Sequence, residues 1–297
     1  GIMAYSPSQL AALSRLFSAT VFREMATKGR SGTFARLIGE TGLVDGGFSG
    51  RTVGEAFDAA FLRLRRAGGR DEYVYRSALT HNVLLGKHSL NTAAMLTEFR
   101  AGACKADVVI LNGTATVYEI KSDRDSLARL ENQIRQYRRV FGKVYVIAGE
   151  GHVREVLEAT PAEVGVLSLV RWDRISTVRE AIETLDAVCP VTIFDSLRTA
   201  EACLILTALG SDPPDVPNTE LYGALRAEFE GLDPAAVHCE MVSTLKRTRN
   251  LAPLNALVDR LPASLQPAAL SIQVRRSHHE RLVKAVSTPF EEALNWG

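Results

Sequence analysis

The sequence predicts an α/β protein, in which a mixed sheet in the middle of the chain is flanked by helical regions at both ends. Apolar residues recur at helical spacing through residues 4–66. Short strand-like segments then alternate with amphipathic helices between about residues 96 and 170. From about Ile175 onward the spacing is helical again. We therefore divide the chain into an N-terminal helical region (1–70), an α/β core (71–172) and a C-terminal helical region (173–297).

Helical periodicity in the N-terminal region is clearest in two stretches. Ser8–Phe17 places apolar side chains at three- and four-residue steps. After a glycine-rich break from Gly42 to Gly50, Val53–Arg66 repeats the pattern, and the following Gly68-Gly69 predicts where this helix ends. A third helix is predicted over Tyr73–Leu85.

The core region reads as the order β-β-β-α-β-α-β, which predicts a mixed sheet with helices packed on it. An Asn-Gly pair is a strong turn signal between the second and third strands. The predicted elements are strand Leu96–Arg100, strand Ala106–Leu111, turn Asn112-Gly113, strand Thr114–Ile120, helix Ser126–Phe141, strand Val144–Ala148, helix His152–Ala159 and strand Val164–Val170.

The C-terminal region is expected to be helical throughout, either as a separate subdomain or as helices that wrap the same sheet. Proline residues at positions 213, 214 and 262 mark loops. The predicted helices are Val178–Val188, Leu197–Leu209, Thr219–Glu230 and Pro234–Arg247.

The composition limits the possible functions. The chain has 297 residues, 46% of them hydrophobic, enough for one large domain or two smaller ones. A formal net charge of +1 argues against a protein that coats nucleic acid through overall basicity. It allows an enzyme whose basic charge is confined to one cleft.

Cysteine usage and hydropathy predict a cytoplasmic protein without a membrane partner. The four cysteines are widely spaced and form no C-x-x-C pair, so free thiols are expected. No stretch approaches the roughly 18 uninterrupted apolar residues of a membrane span. The first residues have neither the basic nor the apolar region of a signal peptide.

The candidate functional residues lie around the predicted hairpin. Asp107 begins one strand, and Glu119 and Lys121 end the next. Side chains two residues apart on a strand share a face, so Glu119 and Lys121 project together. Two carboxylates at the end of a sheet suit a hard cation such as Mg²⁺ or Mn²⁺, and the backbone carbonyl of Ile120 could add an oxygen ligand.

This site constrains the hairpin. With a two-residue loop at Asn112-Gly113, Asp107 would pair with Tyr118 and face away from Glu119. The chemistry requires Asp107 opposite Glu119, so we predict a three-residue connection or a bulge.

The pattern by itself has two interpretations of similar weight. An E-x-K triplet occurs by chance about once in a chain of this length. The alternative to a catalytic site is that Asp107 and Lys121 are surface residues at strand ends that form a salt bridge.

The segment Tyr118-Glu119-Ile120-Lys121-Ser122-Asp123-Arg124-Asp125, with Leu127, Leu130, Gln133, Tyr137 and Phe141 after it, resembles the core of the PD-(D/E)XK nuclease superfamily. It is most similar to a bacterial group with a Y-E-I-K-S-D segment. The resemblance covers about residues 70–170 and implies a restriction-endonuclease-like sheet. It does not explain the N- and C-terminal thirds.

The resemblance also implies roles for individual residues. Asp107 and Glu119 would be metal ligands and Lys121 the catalytic lysine. Glu98 matches an acidic residue that the family carries on the preceding strand. Gln133 and Tyr137 match a Q-x-x-x-Y pattern on a helix that faces nucleic acid in the exonuclease-like branch. The acidic residue of the family's first core helix has no clear counterpart here, since Glu72 lies at a helix start.

Other clusters carry less weight. Gln133 and Tyr137, without the resemblance, would be interpreted as packing residues one helical turn apart. The excess of Lys and Arg in segment 121–143, which includes Arg124 and Arg138, could follow a phosphate backbone or form a solvated helix face. His278 and His279 are adjacent on a predicted helix and point in different directions, so a surface helix is the better interpretation.

We therefore expect a Mg²⁺- or Mn²⁺-dependent nuclease acting on DNA rather than RNA, with a homodimer as one assembly that would suit it. Asp107, Glu119, Glu98 and the Ile120 carbonyl would hold the metal. The substrate would contact Gln133, Tyr137, Arg124 and Arg138. The alternatives are a nucleic-acid-binding or adaptor module that kept the nuclease fold without turnover, and a helical interaction protein that uses the sheet as a scaffold.

Overall fold

The computed structural model describes residues 5–48, 50–67 and 71–297, with the backbone alone for Trp172. It confirms the mixed α/β class, with one six-stranded sheet and helices before and after it in the chain. Contacts divide the chain into two compact units. The first consists of the chain up to Gly86, Val170–Arg174 and Ala252–Gly297, and the second of Lys87–Leu169 and Ile175–Leu251.

The chain begins with a series of short capped helices. Side chains of Ser or Asp, and in one case Thr, accept a hydrogen bond from a first-turn amide at five helix starts, which satisfies donors that the helix itself cannot pair. The helix predicted over Tyr73–Leu85 forms and includes a π-helical turn. The predicted end of the preceding helix, at Gly68-Gly69, lies outside the described residues. The helices are α1 Pro7–Arg15, α2 Ala19–Lys28, α3 Gly32–Glu40, α4 Val53–Arg66, α5 Glu72–Leu79, the π turn Thr80–Leu84 and α6 Leu85–Lys87.

The sheet contains both strand orientations. Its strands lie side by side in chain order; the first three are antiparallel, and the third to fifth are parallel. The change occurs at the third strand because a helix crosses over between it and the fourth. The strands are β1 Ala94–Ala101, β2 Cys104–Leu111, β3 Ala115–Lys121, β4 Lys143–Gly149, β5 Gly165–Val170 and β6 Arg174–Arg179.

Two helices alternate with the parallel strands: α7 Leu130–Arg138 and α8 Val153–Ala159. The sequence predicts the first of these from Ser126 to Phe141, which is too long at both ends. Its start is delayed because Asp125 accepts hydrogen bonds from the amide and hydroxyl of Ser122 and closes a tight turn first.

The predicted helix Val178–Val188 is wrong. The chain forms β6 through Arg179 and then runs without regular structure to Cys189. Val178, Ile182 and Leu185 have helical spacing, but the backbone here bonds to distant segments. The amides of Ile182, Thr184 and Cys189 donate to the carbonyls of Glu163, Gly142 and Arg139. These tertiary bonds replace a local helix.

After Cys189, the regular elements of the described chain are helices joined by loops. The predicted helices Thr219–Glu230 and Pro234–Arg247 are confirmed to within a residue. The helix predicted over Leu197–Leu209 starts too early, because Leu197 and Arg198 lie in a turn and the helix begins at Thr199. The helices are α9 Pro190–Asp195, α10 Thr199–Ala208, α11 Asn218–Glu230, α12 Pro234–Thr248, α13 Asn255–Arg260, α14 Gln266–Ser271, α15 His279–Ser287 and α16 Phe290–Ala293.

Each unit has its own apolar core. In the first unit, the Phe17 ring stacks on Tyr73 at 4.7 Å and meets Phe57 and Phe61 edge-on. In the second, one face of the sheet packs against α7, α8 and the helices from α9 to α12. Its buried side chains include Val109, Val117, Val146, Val166, Ile134, Val156, Ile205 and Met241.

Within the described residues, no helix combines the length and apolar character needed to cross a membrane. The four cysteines are free thiols.

Candidate active site

The β2–β3 hairpin has the three-residue connection that the site required. Leu111 pairs with Ala115 and Val108 pairs with Tyr118, which leaves Asn112–Thr114 as the loop. The Asn112 amide donates to the Thr114 carbonyl, and the Thr114 amide donates to the Asn112 side chain. The same register, continued by one residue, places Asp107 directly opposite Glu119. The prediction of an odd-length loop is confirmed.

Asp107 binds the neighbouring strand through its side chain. The Ile120 amide donates a hydrogen bond of 2.9 Å to Asp107 Oδ2. The Asp107 carboxylate therefore accepts a β3 amide hydrogen bond just beyond Val108 and Tyr118, the last residue pair between β2 and β3. Asp107 is therefore fixed against Glu119 and Ile120, whose carbonyl was predicted as a metal ligand.

Glu119 is almost completely buried, with 3% of its surface exposed. Its Oε2 lies 2.6 Å from the Tyr137 hydroxyl, which is also 3.0 Å from the carbonyl oxygen of Lys105. Its Oε1 lies 3.8 Å from Nζ of Lys121. Both carboxylate oxygens of Glu119 thus have partners from this chain.

Burial and mutual repulsion control the ionisation of the two carboxyl groups. Burial, followed by the nearby charge of Asp107, raises the pKa of Glu119 to about 8. Burial also raises the pKa of Asp107, although the Ile120 amide and the Lys121 charge oppose that rise. A carboxyl pair of this kind holds a proton near neutral pH, and a cation placed between the two groups would displace it.

The donor set fits a hard divalent cation. Asp107, Glu119 and the Ile120 carbonyl offer oxygen ligands, and two desolvated carboxyl groups gain most from a bound positive charge. Among residues 5–48, 50–67 and 71–297, no group of three or more His, Cys, Asp and Glu side chains is placed to hold a metal ion. A cation at Asp107 and Glu119 would therefore complete its coordination with water or substrate oxygens.

Glu98 lies across from Asp107 in β1, but its side chain is exposed. The flanking pairs are Thr97 with Val108 and Phe99 with Ala106. Glu98 has a left-handed backbone, with φ of 52°, a conformation that costs a non-glycine residue about 1–3 kcal/mol. The alternation of buried and exposed side chains shifts by one residue at this point in both strands, although the pairs on either side keep the same register.

The predicted substrate-binding residues separate into two groups. Tyr137 and Gln133 are buried on the face of α7 that meets the sheet, and within the described chain Oε1 of Gln133 has no hydrogen-bond partner. Arg124 is exposed in the turn after β3. Arg138 lies elsewhere on α7 and pairs with Glu163 at 3.3 Å.

His152, which the sequence patterns do not single out, supports the turn that follows Lys121. Its Nδ1 lies 3.0 Å from the Ser122 carbonyl, and its ring is buried. The only sequence signal is the spacing from β4, which ends three residues earlier at Gly149. This spacing places His152 at the sheet edge where β3 also ends, since β3 and β4 are parallel.

The fold and the geometry thus define an α/β unit in which two neighbouring carboxyl groups, Asp107 and Glu119, lie beside a lysine at the end of a strand. Comparisons with known proteins find a relative in a phage. The model of a family described as Bacteriophage P4 protein cII matches residues 65–207, a segment that contains every candidate site residue. Protein cII of Enterobacteria phage P4 is 32% identical over 108 residues. That alignment spans 36% of this chain and 40% of the phage protein's length.

A solved structure is also similar in part. It is a protein of unknown function from Silicibacter pomeroyi, 23% identical, with 42% of this chain and 84% of that chain covered. The TM-score is 0.28.

Proposed function

We propose that this protein is a metal-dependent nuclease with a restriction-endonuclease-like sheet of the PD-(D/E)XK type. The observation that supports it most is the placement of Asp107 opposite Glu119, with Lys121 3.8 Å from Glu119 on the same face of β3. Three ionisable side chains gathered in a largely buried place cost folding free energy, so a stability role alone explains them poorly.

Asp107, Glu119 and the Ile120 carbonyl would hold Mg²⁺ or Mn²⁺, and Glu98 would join them only after a change in its backbone. The metal would lower the pKa of a bound water and offset charge on the phosphate. Lys121, at the end of β3, would donate hydrogen bonds to the attacking water or to the phosphate oxygens as negative charge increases. The attacking water would lose one proton to solvent as its oxygen bonds to phosphorus, the bond from phosphorus to the leaving oxygen would break, and that oxygen would take a proton from solvent.

The substrate would be DNA, which we favour over RNA. Gln133, one helical turn before Tyr137, has a buried amide oxygen without a partner in the described chain. Arg124 is exposed in the turn that follows Lys121 and can reach a phosphate. A homodimer would present two such sites to the two strands of a duplex.

The test is cleavage of linear, circular and single-stranded DNA by the purified protein in Mg²⁺, Mn²⁺ or EDTA. Asp107→Asn, Glu119→Gln and Lys121→Met should each lower the metal-dependent rate by about 10²-fold or more. The exposed residues Asp212 and Lys28 supply matched controls, Asp212→Asn and Lys28→Met, which should cleave at the parent rate. Equal rates for Lys121→Met and Lys28→Met would refute the proposal.

A second candidate is a nucleic-acid-binding module without turnover. It is favoured by one observation: Tyr137 and Lys121 already engage both oxygens of Glu119. Under this candidate the cluster is a closed polar network. It predicts DNA binding that is insensitive to Mg²⁺ and unchanged in Glu119→Gln, with no cleavage of any substrate.

A further inference from the structure

The outer side of α7 forms one wall of a groove of about 430 Å³. Arg135, Arg138 and Arg139 project from this helix and the residue after it. Ala159 and Pro161, at the end of α8, and Ala187 provide the facing surface. These arginines lie on a different side of α7 from Gln133 and Tyr137, which face the sheet. We call this feature the arginine groove.

The positive charge of the arginine groove is incompletely neutralised. Arg135 pairs with Glu131 at 3.7 Å, with both side chains largely exposed, so this pair contributes little. Arg138 pairs with Glu163 at 3.3 Å. Arg139 is exposed, and no ion pair to it is found in the described part of the chain.

A fourth arginine fixes the facing wall. Arg179, at the end of β6, donates to the Thr160 hydroxyl at 2.6 Å and to the Pro161 and Val164 carbonyls at 2.9 and 2.7 Å. On the other side, the Cys189 amide donates to the Arg139 carbonyl at 2.9 Å. The groove is therefore held open by bonds already made, and a ligand would lose little free energy in ordering it.

Part of the lining of the arginine groove is apolar. Ile134 and the facing residues Ala159, Pro161 and Ala187 offer hydrocarbon surface beside the guanidinium groups, and the carboxylate of Glu131 lines the same groove. A ligand that suits both parts has anionic groups and a less polar body. Guanidinium groups match the oxygens of a phosphate with two parallel hydrogen bonds, which an isolated ammonium cannot do.

We propose that the arginine groove binds the phosphodiester backbone of a nucleic acid, with phosphates on Arg135 and Arg139 and sugar against the apolar residues of the facing wall. This proposal rests on the proposed nuclease function for its choice of nucleic acid over an acidic peptide. The proposal separates a binding site for the backbone from the catalytic site at Lys121. One part of a strand would bind beside α7 while another part of the same strand is cleaved.

The test is DNA binding in EDTA, measured by fluorescence anisotropy of a labelled oligonucleotide at several salt concentrations. The double variant Arg135→Ala/Arg139→Ala should weaken binding and lower the slope of log affinity against log salt by about 0.7–0.9 for each phosphate that is no longer neutralised. Both side chains are exposed, so the fold should be retained, which circular dichroism checks. Arg247→Ala, an exposed arginine on α12, is the matched control and should keep the parent slope.

Several outcomes separate this proposal from the nuclease. An unchanged slope in the double variant overturns the arginine groove, even if Lys121-dependent cleavage is observed. A reduced slope with no cleavage in Mg²⁺ supports the groove and counts against the nuclease alone. A competition experiment with the parent protein and labelled DNA tests the ligand class. If an acidic peptide displaces the labelled DNA and unlabelled DNA of unrelated sequence does not, the phosphodiester assignment is also overturned.

Discussion

Asp107 and Glu119 face each other across β2 and β3 so closely that the charge of Asp107 is, after burial, the largest cause of the raised pKa of Glu119. A carboxyl group with a raised pKa resists ionisation in the folded state. This relationship makes the candidate site a source of instability that can be measured without any substrate.

Glu119→Gln should stabilise the protein at pH 8 in EDTA. Below the ordinary pKa of 4.5 the carboxyl group is neutral in both the folded and the unfolded state. Between 4.5 and about 8 only the unfolded state ionises freely, so the parent protein loses stability as pH rises through this window. We expect a gain on the order of 2 kcal/mol from urea unfolding at pH 8 and almost none at pH 4. A loss of stability at pH 8 would show that the Glu119 charge is well compensated.

Tyr137→Phe should destabilise the protein by about 1–2 kcal/mol, because it removes the buried hydroxyl that hydrogen-bonds to Glu119. Tyr222→Phe is a matched control, since Tyr222 also donates to a carboxylate, Asp195, but on the exposed surface. Urea unfolding of both variants gives the comparison. Equal effects would mean that burial adds nothing to the Tyr137 hydrogen bond.

Glu201→Gln should remove part of the stability that the protein loses in acid. Burial alone would raise the pKa of Glu201, but hydrogen bonds from Arg249, Thr248 and the Arg198 amide lower it to about 2. This depressed pKa stabilises the fold above the ordinary value of 4.5, and the stabilisation disappears as pH falls toward 2. The parent should lose about 2 kcal/mol more than the variant between pH 6 and pH 3. Parallel losses in the two proteins would contradict the assignment.

Glycine substitutions in the two hairpin turns should have opposite consequences. Gly102 has a φ of 61°, and a methyl group there would collide with the side chain of Gln136. Gly113 has no neighbour within 4 Å of an added methyl and no left-handed φ. Gly102→Ala should cost about 1–3 kcal/mol, and Gly113→Ala should be neutral or stabilise by up to about 1 kcal/mol. Thermal unfolding of both variants decides the matter, and a costly Gly113→Ala would contradict the open turn.

The sequence was sufficient to predict the hairpin register because side-chain alternation allows few solutions. Once Asp107 must face Glu119, only a loop of odd length or a bulge satisfies the geometry. The position of the carboxyl pair on β2 and β3 follows from local rules of this kind.

Features that depend on distant contacts could not be predicted in the same way. The family resemblance implies that Glu98 is a metal ligand beside Asp107, but its exposed side chain and left-handed backbone depend on how β1 and β2 pair. The helix predicted at Val178–Val188 does not form because its amides pair with Glu163, Gly142 and Arg139, residues that no local pattern connects to it. The excess of Arg in segment 121–143 is visible in the sequence, but the groove that these arginines line is not, since its facing residues Ala159, Pro161 and Ala187 come from distant segments of the chain.

The Tyr137 hydroxyl lies within hydrogen-bond distance of both Glu119 Oε2 and the Lys105 carbonyl, yet it has a single proton to give. When Glu119 is protonated, it donates to Tyr137, which in turn donates to Lys105, and every oxygen is satisfied. When Glu119 ionises, Tyr137 must donate to it instead, and the Lys105 carbonyl loses its partner. The vibrational frequency of that one isotope-labelled carbonyl would therefore report the ionisation state of Glu119 from the adjacent strand.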